Sequence, residues 1–251
     1  RSDSSAASDV YKRQDLREFK KTVDFAFTDF SRTYGQGIEE FFEPLLMFLV
    51  WFEKLFINTP WPVIIFSILL LAWIGSRSLL IVVGTFLSFM LIGYFGMWED
   101  TMSTLAIILV ATFLCIAIGI PLGIAMARSN KVQAAIVPVL DVMQTIPSFV
   151  YLIPVVMLLG IGKVPGLIAV CIYAIPPIVR LTNLGIRLVD KDVLEAADSF
   201  GANYWQKLLG VQMPLALPTI FAGVNQTIMM ALAMVVLSLI HISEPTRLHV
   251  I

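Results

Sequence analysis

The longest polar passage in this apolar chain covers residues 189–218, and its residue types suit contact with another protein rather than catalysis. Asp192 and Glu195 stand three residues apart, which is the spacing of a capping box at a helix N-terminus. Gly201 is a natural left-handed terminator for that helix, and Asn203 can cap a second short helix. The passage therefore predicts two short helices that present small side chains to another surface. On the helical pattern alone, amphipathic helices lying on lipid headgroups fit equally well.

Several kinds of catalytic chemistry are excluded by residues that the chain lacks. It has no GxxxxGK[ST] phosphate loop, because the segment around Lys163 has neither the spacing nor the following Ser or Thr. Both histidines, His241 and His249, fall in a terminal segment that we exclude below. Cys115 and Cys171 stand in separate apolar runs, which predicts core packing rather than a disulfide or a metal site. We expect no catalytic residue, no metal site, no bound cofactor and no nucleic-acid partner.

Composition and hydropathy place the chain in a membrane. It is 58% hydrophobic and 14% charged, with a mean hydropathy of +0.87, whereas about a quarter of the residues of a soluble domain are charged. Six apolar runs approach the ~20 residues that a membrane helix needs. They are 61–75, 79–98, 101–127, 138–160, 164–188 and 215–236, and the fourth is interrupted by Pro147 and Pro154. We predict an all-α, polytopic bundle of about six spans.

An N-terminal region, 15–58, precedes these runs and mixes charged residues with aromatic ones. The apolar part of 39–57 is too short to cross a bilayer comfortably. We therefore interpret it as an interfacial amphipathic helix, with a short spanning helix as the alternative.

The charges between the runs predict the orientation of the bundle. If the spans alternate, six basic residues fall on one side of the membrane: Arg77, Arg128, Lys131, Arg187, Lys191 and Lys207. Glu99, Asp100 and Lys163 fall on the other side. Short loops rich in Lys and Arg stay cytoplasmic, so the polar passage is expected to face the cytoplasm.

The two ends of the chain have a common origin in one inverted DNA segment. Residues 9–14, DVYKRQ, can be encoded by GAT GTG TAT AAG AGA CAG, and the reverse complement of those codons translates to LSLIHI, which is residues 237–242. The segment resembles the transposon-end adapter used to build sequencing libraries. We therefore interpret 1–14 and 237–251 as translated adapter and exclude them from fold reasoning. The last native run, 215–236, is then expected to be truncated at its C-terminal end.

The polar passage resembles the EAA loop with which permease subunits of ATP-binding-cassette importers contact their ATPase. Its residues are Glu195-Ala196-Ala197, then three residues, Gly201, nine residues, and Val211-Gln212-Met213-Pro214. The family pattern ends in Ile-x-Leu-Pro, so Val and Met are mild departures that keep an apolar contact. Four further stretches, 119–130, 138–166, 173–187 and 211–236, resemble the glycine betaine/proline betaine permeases of bacterial osmoprotectant importers.

This resemblance implies a fold, a site and a set of partners. The fold is that of an importer permease, with two peripheral membrane helices at 59–98 and a core at 99–236 that contains a coupling loop at 189–214. The implied ATPase contacts are Glu195, Ala196, Ala197, Gly201, Val211, Met213 and Pro214. The implied partners are a second permease copy, ATPase subunits that hold ATP and Mg²⁺, a periplasmic or fused substrate-binding protein, and the lipid of the bacterial inner membrane.

Five polar residues within or beside the apolar runs are candidates for a translocation pathway: Asp141, Gln144, Asn183, Asn225 and Gln226. An acidic side chain in a span is a functional hypothesis by default. The alternative for Asp141 is a position at the cytoplasmic interface near the start of its helix. The amides equally suit hydrogen bonds between helices.

Two other functions remain open on the sequence. The chain also fits a permease for another small solute such as choline, taurine or an amino acid. A secondary carrier driven by ions, which would need no ATPase, is disfavoured by the EAA spacing.

Overall fold

The computed structural model describes Gly37 and residues 40–159 and 162–247. The predicted adapter segment 1–14 and residues 15–36 lie outside this part. In chain order the helices are α1 (Glu40–Asn58), α2 (Trp61–Ser76), α3 (Leu79–Tyr94), α4 (Trp98–Arg128), α5 (Asn130–Thr145), α6 (Ser148–Leu159), α7 (Lys163–Arg187), α8 (Lys191–Ser199), α9 (Tyr204–Lys207) and α10 (Met213–Arg247), with a π-helical turn at Leu208–Gln212. Residues 237–247, which we interpret as translated adapter, form the last turns of α10. Their helical conformation does not test that interpretation, which concerns the origin of the residues.

The all-α, multi-pass prediction is confirmed in the described residues. Three helical segments are each long and apolar enough to cross a membrane, namely α4, α7 and Tyr204–Val236. Two pairs, α1 with α2 and α5 with α6, pass the same test as helices bent by 101° and 95°, which gives up to five spans. The shorter α3 is also apolar. Each of the six predicted runs therefore lies in one or two of these helices.

The core is built around α7, which packs most extensively against α4 and α10. Gly119 and Gly123 lie one turn apart on α4 and face α7. A Cβ at Gly119 would stand 2.3 Å from Cγ2 of Ile178, and a Cβ at Gly123 would stand 2.6 Å from Cβ of Thr182. Small residues let helices approach closely in lipid, where packing replaces the hydrophobic effect as the driving force. The close contact between α4 and α7 therefore requires glycine at both positions.

The predicted fourth run, 138–160, is divided at one of the two prolines expected to interrupt it. α5 ends at Thr145, α6 begins at Ser148, and Pro147 lies between them. The ring of Pro147 disfavours the helical conformation of the residue before it, and Ile146 is extended, with ψ 131°. Pro154, by contrast, lies inside α6.

The first helix is attached to the core by a buried acidic residue. Leu49 of α1 is 0% exposed within the main apolar cluster. One turn later, the carboxylate of Glu53 accepts hydrogen bonds from Nζ of Lys163 at 2.5 and 2.6 Å and from Oγ of Ser103 at 2.5 Å. A carboxylate can be buried here because it is paired and hydrogen-bonded. These contacts hold α1 against α4 and α7, whether α1 lies at the interface or spans.

The two ends of the core carry the charges that the sequence assigned to opposite sides. Ser103, near the start of α4, meets Lys163, the first residue of α7, through Glu53. At the other end, Nη2 of Arg187 donates to the carbonyl of Met126 at 2.8 Å and to Oδ1 of Asn130 at 2.9 Å. We call this second end, where Arg128, Arg187 and Lys207 lie, the basic end.

Candidate functional site

The 189–214 segment lies at the basic end and starts with α8. The helix is capped by Asp190, whose carboxylate accepts a hydrogen bond from the N–H of Asp192 at 3.0 Å. The predicted capping box of Asp192 and Glu195 is therefore wrong. Asp192 lies in the first turn, where its negative charge interacts favourably with the positive end of the helix dipole. Asp190 lies just before the helix, where its side chain can accept a hydrogen bond from a free N–H of the first turn.

The end of α8 is formed as the sequence predicts, at Gly201. Its φ is +75°, a left-handed conformation in which L side chains clash with the backbone. The N–H of Gly201 donates to the carbonyl of Asp198 at 2.9 Å, and the N–H of Ala202 donates to the carbonyl of Ala197 at 3.0 Å. These two bonds are the Schellman pattern that satisfies the last carbonyls of a helix. Gly201 therefore sets the direction in which the chain leaves α8.

Replacing Gly201 with alanine is expected to destabilise the turn by about 1 kcal/mol because of the left-handed backbone, although open space surrounds the position. Faster amide hydrogen exchange of the 195–207 peptide would report the change. Gly210 is the matched control, because a Cβ there also meets nothing within 4 Å and its φ is not positive. Equal exchange in the two alanine variants would contradict the expectation.

The second predicted helix is confirmed and continues without a break into the membrane. Asn203 and Gln206 form a reciprocal capping box, with bonds of 2.8 and 2.9 Å between side chain and backbone. After α9 the helix widens into the π-turn at Leu208–Gln212, which ends two residues before Pro214. Proline lacks an N–H and its ring collides with the carbonyl four residues earlier in a regular helix, so a wider turn at this point relieves the conflict.

Contacts of three kinds hold the segment together and fix it on the core. The guanidinium of Arg128, at the end of α4, lies 3.8 Å from the ring centroid of Tyr204 and 6.0 Å from that of Trp205, which is cation–π geometry. Lys207 of α9 forms an ion pair with Asp198 of α8. Leu208 is buried at the base of the segment. The two short helices are thus joined to each other and to α4.

The outward surface of the segment has no partner in the described part of the chain. Glu195 and Ala196 are exposed and Ala197 is half-buried. Phe200 is 92% exposed, and Val193, two helical turns earlier, is also exposed. Of the remaining predicted contacts, Val211 and Met213 are half-buried and Pro214 is exposed. A rigid helix end that presents an apolar ring, small residues and one carboxylate to solvent is suited to docking in a protein cleft.

The five predicted pathway residues do not form one cluster. Asn183 is buried, and its Oδ1 accepts a hydrogen bond from Nε of Arg187 at 2.9 Å, so it braces the basic end. Asn225 and Gln226 are exposed on α10. Asp141 and Gln144 are exposed on α5.

Sequence reasoning missed the partner of Asp141, which is Arg180 of α7. The signal was present, because an arginine inside an apolar run is rare and expensive. It also missed Arg187 and Arg128 as specific contacts, since both were treated only as markers of membrane side. Apart from Asn183, which precedes Arg187 by four residues, their partners are distant in sequence, and no spacing rule connects them.

Comparison with known proteins gives the family of the chain and several similar proteins. Residues 119–247 match the family described as binding-protein-dependent transport system inner membrane component. Over 216 residues the chain is 49% identical to the glycine betaine/proline betaine transport system permease protein ProW of Escherichia coli, which covers 86% of this chain and 60% of that protein. It is 47% identical over 181 residues to the glycine betaine/carnitine transport permease protein GbuB of Listeria monocytogenes, covering 71% and 64%. It is 43% identical over 180 residues to the glycine betaine transport system permease protein OpuAB of Bacillus subtilis, covering 70% and 63%.

The chain spans a little under two thirds of the length of these relatives. The family match covers just over half of the chain and contains the last third of α4, all of α5 to α10 and the 189–214 segment. With its multi-pass helical fold, this chain belongs to the family of binding-protein-dependent transport system inner membrane components.

Proposed function

We propose that this chain is the membrane-spanning permease subunit of an ATP-driven importer for glycine betaine and proline betaine-type osmoprotectants. The observation that carries the proposal is the 189–214 segment. It is anchored to the basic end through Arg128 and Leu208, and it exposes Glu195, Ala196 and Phe200 to solvent. The permeases of betaine importers to which the chain is similar support the solute class.

The chain supplies translocation, and ATP hydrolysis belongs to a separate subunit. In this proposal an ATPase with bound ATP and Mg²⁺ receives α8 in a cleft, with Glu195 as the polar contact and Ala196 and Ala197 as the close-packed ones. Because α9, the π-turn and α10 form one continuous helix, a push on the segment is transmitted to the core. A substrate-binding protein, a second permease copy and the bacterial inner membrane complete the assembly.

Uptake by the complete transporter, with ATPase and binding protein, in proteoliposomes tests the proposal. Labelled glycine betaine should enter only with ATP, and unlabelled proline betaine should compete more strongly than choline. Stronger competition by choline, taurine or an amino acid would assign a different solute. Uptake by the chain in vesicles that lack the ATPase would instead establish a secondary carrier.

A further inference from the structure

The charged pair formed by Asp141 and Arg180 lies within the membrane-spanning part of the bundle. Nη2 of Arg180 on α7 donates to Oδ1 of Asp141 on α5 at 2.5 Å. Arg180 precedes Arg187 by two turns, which places it about 10 Å along α7 from the basic end. Lys163, at the opposite end of α7, is about 25 Å away by the same rise per residue. The pair therefore lies at a depth where lipid would surround an uncovered helix.

The two charged side chains are too exposed to lie against the hydrocarbon of a lipid bilayer. The side chain of Asp141 is 55% exposed and that of Arg180 is 35% exposed, although α7 is otherwise the most enclosed of the three long spans. Charged residues within spans face a bundle interior or a water-filled cavity. The side of the chain that carries this pair is therefore expected to face an aqueous pathway in the assembled permease.

The pair also leaves hydrogen-bonding capacity unused. It is joined by one hydrogen bond, whereas an arginine and a carboxylate commonly form two parallel ones. Nε of Arg180 is buried without a hydrogen-bond partner in the described residues. Gln144 is exposed one turn beyond Asp141 on α5. Because the pair uses only Nη2 and 35% of the Arg180 side chain is exposed, the terminal guanidinium nitrogens have donors available for a further carboxylate.

We propose that Arg180 and Asp141 form a transient binding site for a zwitterion, with Arg180 holding its carboxylate and Asp141 facing its quaternary ammonium. The inference rests on the proposed function and deepens it. In a betaine the two opposite charges are joined by a short carbon link, so the solute can enter between the two side chains. One internal ion pair is then exchanged for two, and no charge is left unpaired. A cation without a carboxylate, such as choline, would occupy Asp141 and give Arg180 no partner in return, so the site is expected to favour the zwitterion.

Uptake by the complete transporter in proteoliposomes, measured as betaine imported per ATP hydrolysed, tests the site. Arg180→Gln and Asp141→Asn are each expected to lower this ratio about tenfold, the scale of losing a hydrogen bond to a charged group. ATPase stimulation by the loaded binding protein should be retained, and Arg180→Lys should recover part of the ratio. Lys163→Gln is the matched control, because it breaks an interhelical ion pair at the opposite end of α7. The ratio stays unchanged if both activities are retained or if uptake and ATPase activity fall together. Either result would mean that the pair only stabilises the structure and would overturn the site.

Labelling of Gln144→Cys gives a second measurement that does not disturb the charged pair. A water-soluble thiol reagent should modify this cysteine in the assembled transporter, and glycine betaine should slow the reaction more than choline. The wild-type chain, with Cys115 buried and Cys171 half-buried, gives the background labelling. If the Gln144→Cys variant is labelled no more than this background, this side of α5 lies against lipid or protein, and the site is overturned. Absence of ATP-dependent betaine uptake by the wild-type transporter would instead reject the proposed function itself, so the two failures are distinguishable.

Discussion

If the proposed function is correct, replacing Glu195 with arginine is expected to separate this chain from the ATPase of the proposed importer and to abolish ATP-dependent uptake. The side chain of Glu195 is exposed on α8 and forms no ion pair within the described residues. Exposed substitutions of this kind change folding stability by roughly 0.5 kcal/mol or less. A severe effect would therefore report a contact outside the chain. Reversing the sign of a charge in a protein interface costs about 2–5 kcal/mol, which lowers the affinity by at least roughly thirtyfold.

Co-purification of the ATPase with the tagged permease measures this effect directly. Glu99→Arg is the matched control, since Glu99 is an exposed acid in the first turn of α4, at the end away from the basic residues. It should lose no more than about 1 kcal/mol of stability from the altered helix dipole and should retain the ATPase. If the Glu195→Arg permease still carries the ATPase and still imports solute, α8 is not the coupling element.

Replacing Gly123 with alanine is expected to lower the free energy of unfolding by about 1–3 kcal/mol, the usual cost of overpacking. The added Cβ would lie 2.6 Å from Cβ of Thr182 and 2.8 Å from the carbonyl oxygen of Val179. The carbonyl oxygen of Val179 belongs to the backbone, and the Cβ of Thr182 does not move when its side chain changes rotamer, so no rotamer change can relieve the clash. α4 must then move away from α7, and the packing of the central helices weakens.

The midpoint of thermal unfolding of the detergent-purified chain measures this effect. Gly84→Ala in α3 is the matched control, because a Cβ there meets nothing within 4 Å. Alanine is intrinsically better than glycine within a helix, so the control should be neutral or slightly stabilised. Equal midpoints for the two variants would mean that the α4–α7 contact is looser than the structure shows.

The architecture of the 189–214 segment is local, and for that reason it was largely predictable. The capping box at Asn203 and the left-handed turn at Gly201 depend on residues within a few positions of each other. The same rules misplaced the start of α8, because Asp190 and Asp192 are both suitable caps and only the backbone conformation selects between them. The role of the exposed residues in binding an ATPase stays a prediction.

The division of the bundle into spans was predicted only in part. Apolar runs locate helices, and the helical regions agree with all six of them. They do not give angles, so the bends of 101° and 95° beside Pro60 and Pro147 were beyond reach. Proline marks a point where a helix can break, but the packing of the flanking helices decides whether it does. Pro121 and Pro154, which remain inside helices, show the difference.

By itself the sequence determined the helical class, and it predicted the 189–218 passage as the place where another protein would act. The tertiary structure alone decided which polar groups meet inside the bundle. It pairs Glu53 with Lys163 and Asp141 with Arg180, and it brings Cys171 against the α4 segment that holds Cys115. Periodicity and hydropathy report which face of a helix is apolar, whereas these partners lie 39 to 110 residues apart and meet only because glycine-lined helices pack closely around α7. The structure of the polar passage could be predicted because its interactions are local. The ion pair between Asp141 and Arg180 could not be predicted, because its two side chains come from different helices.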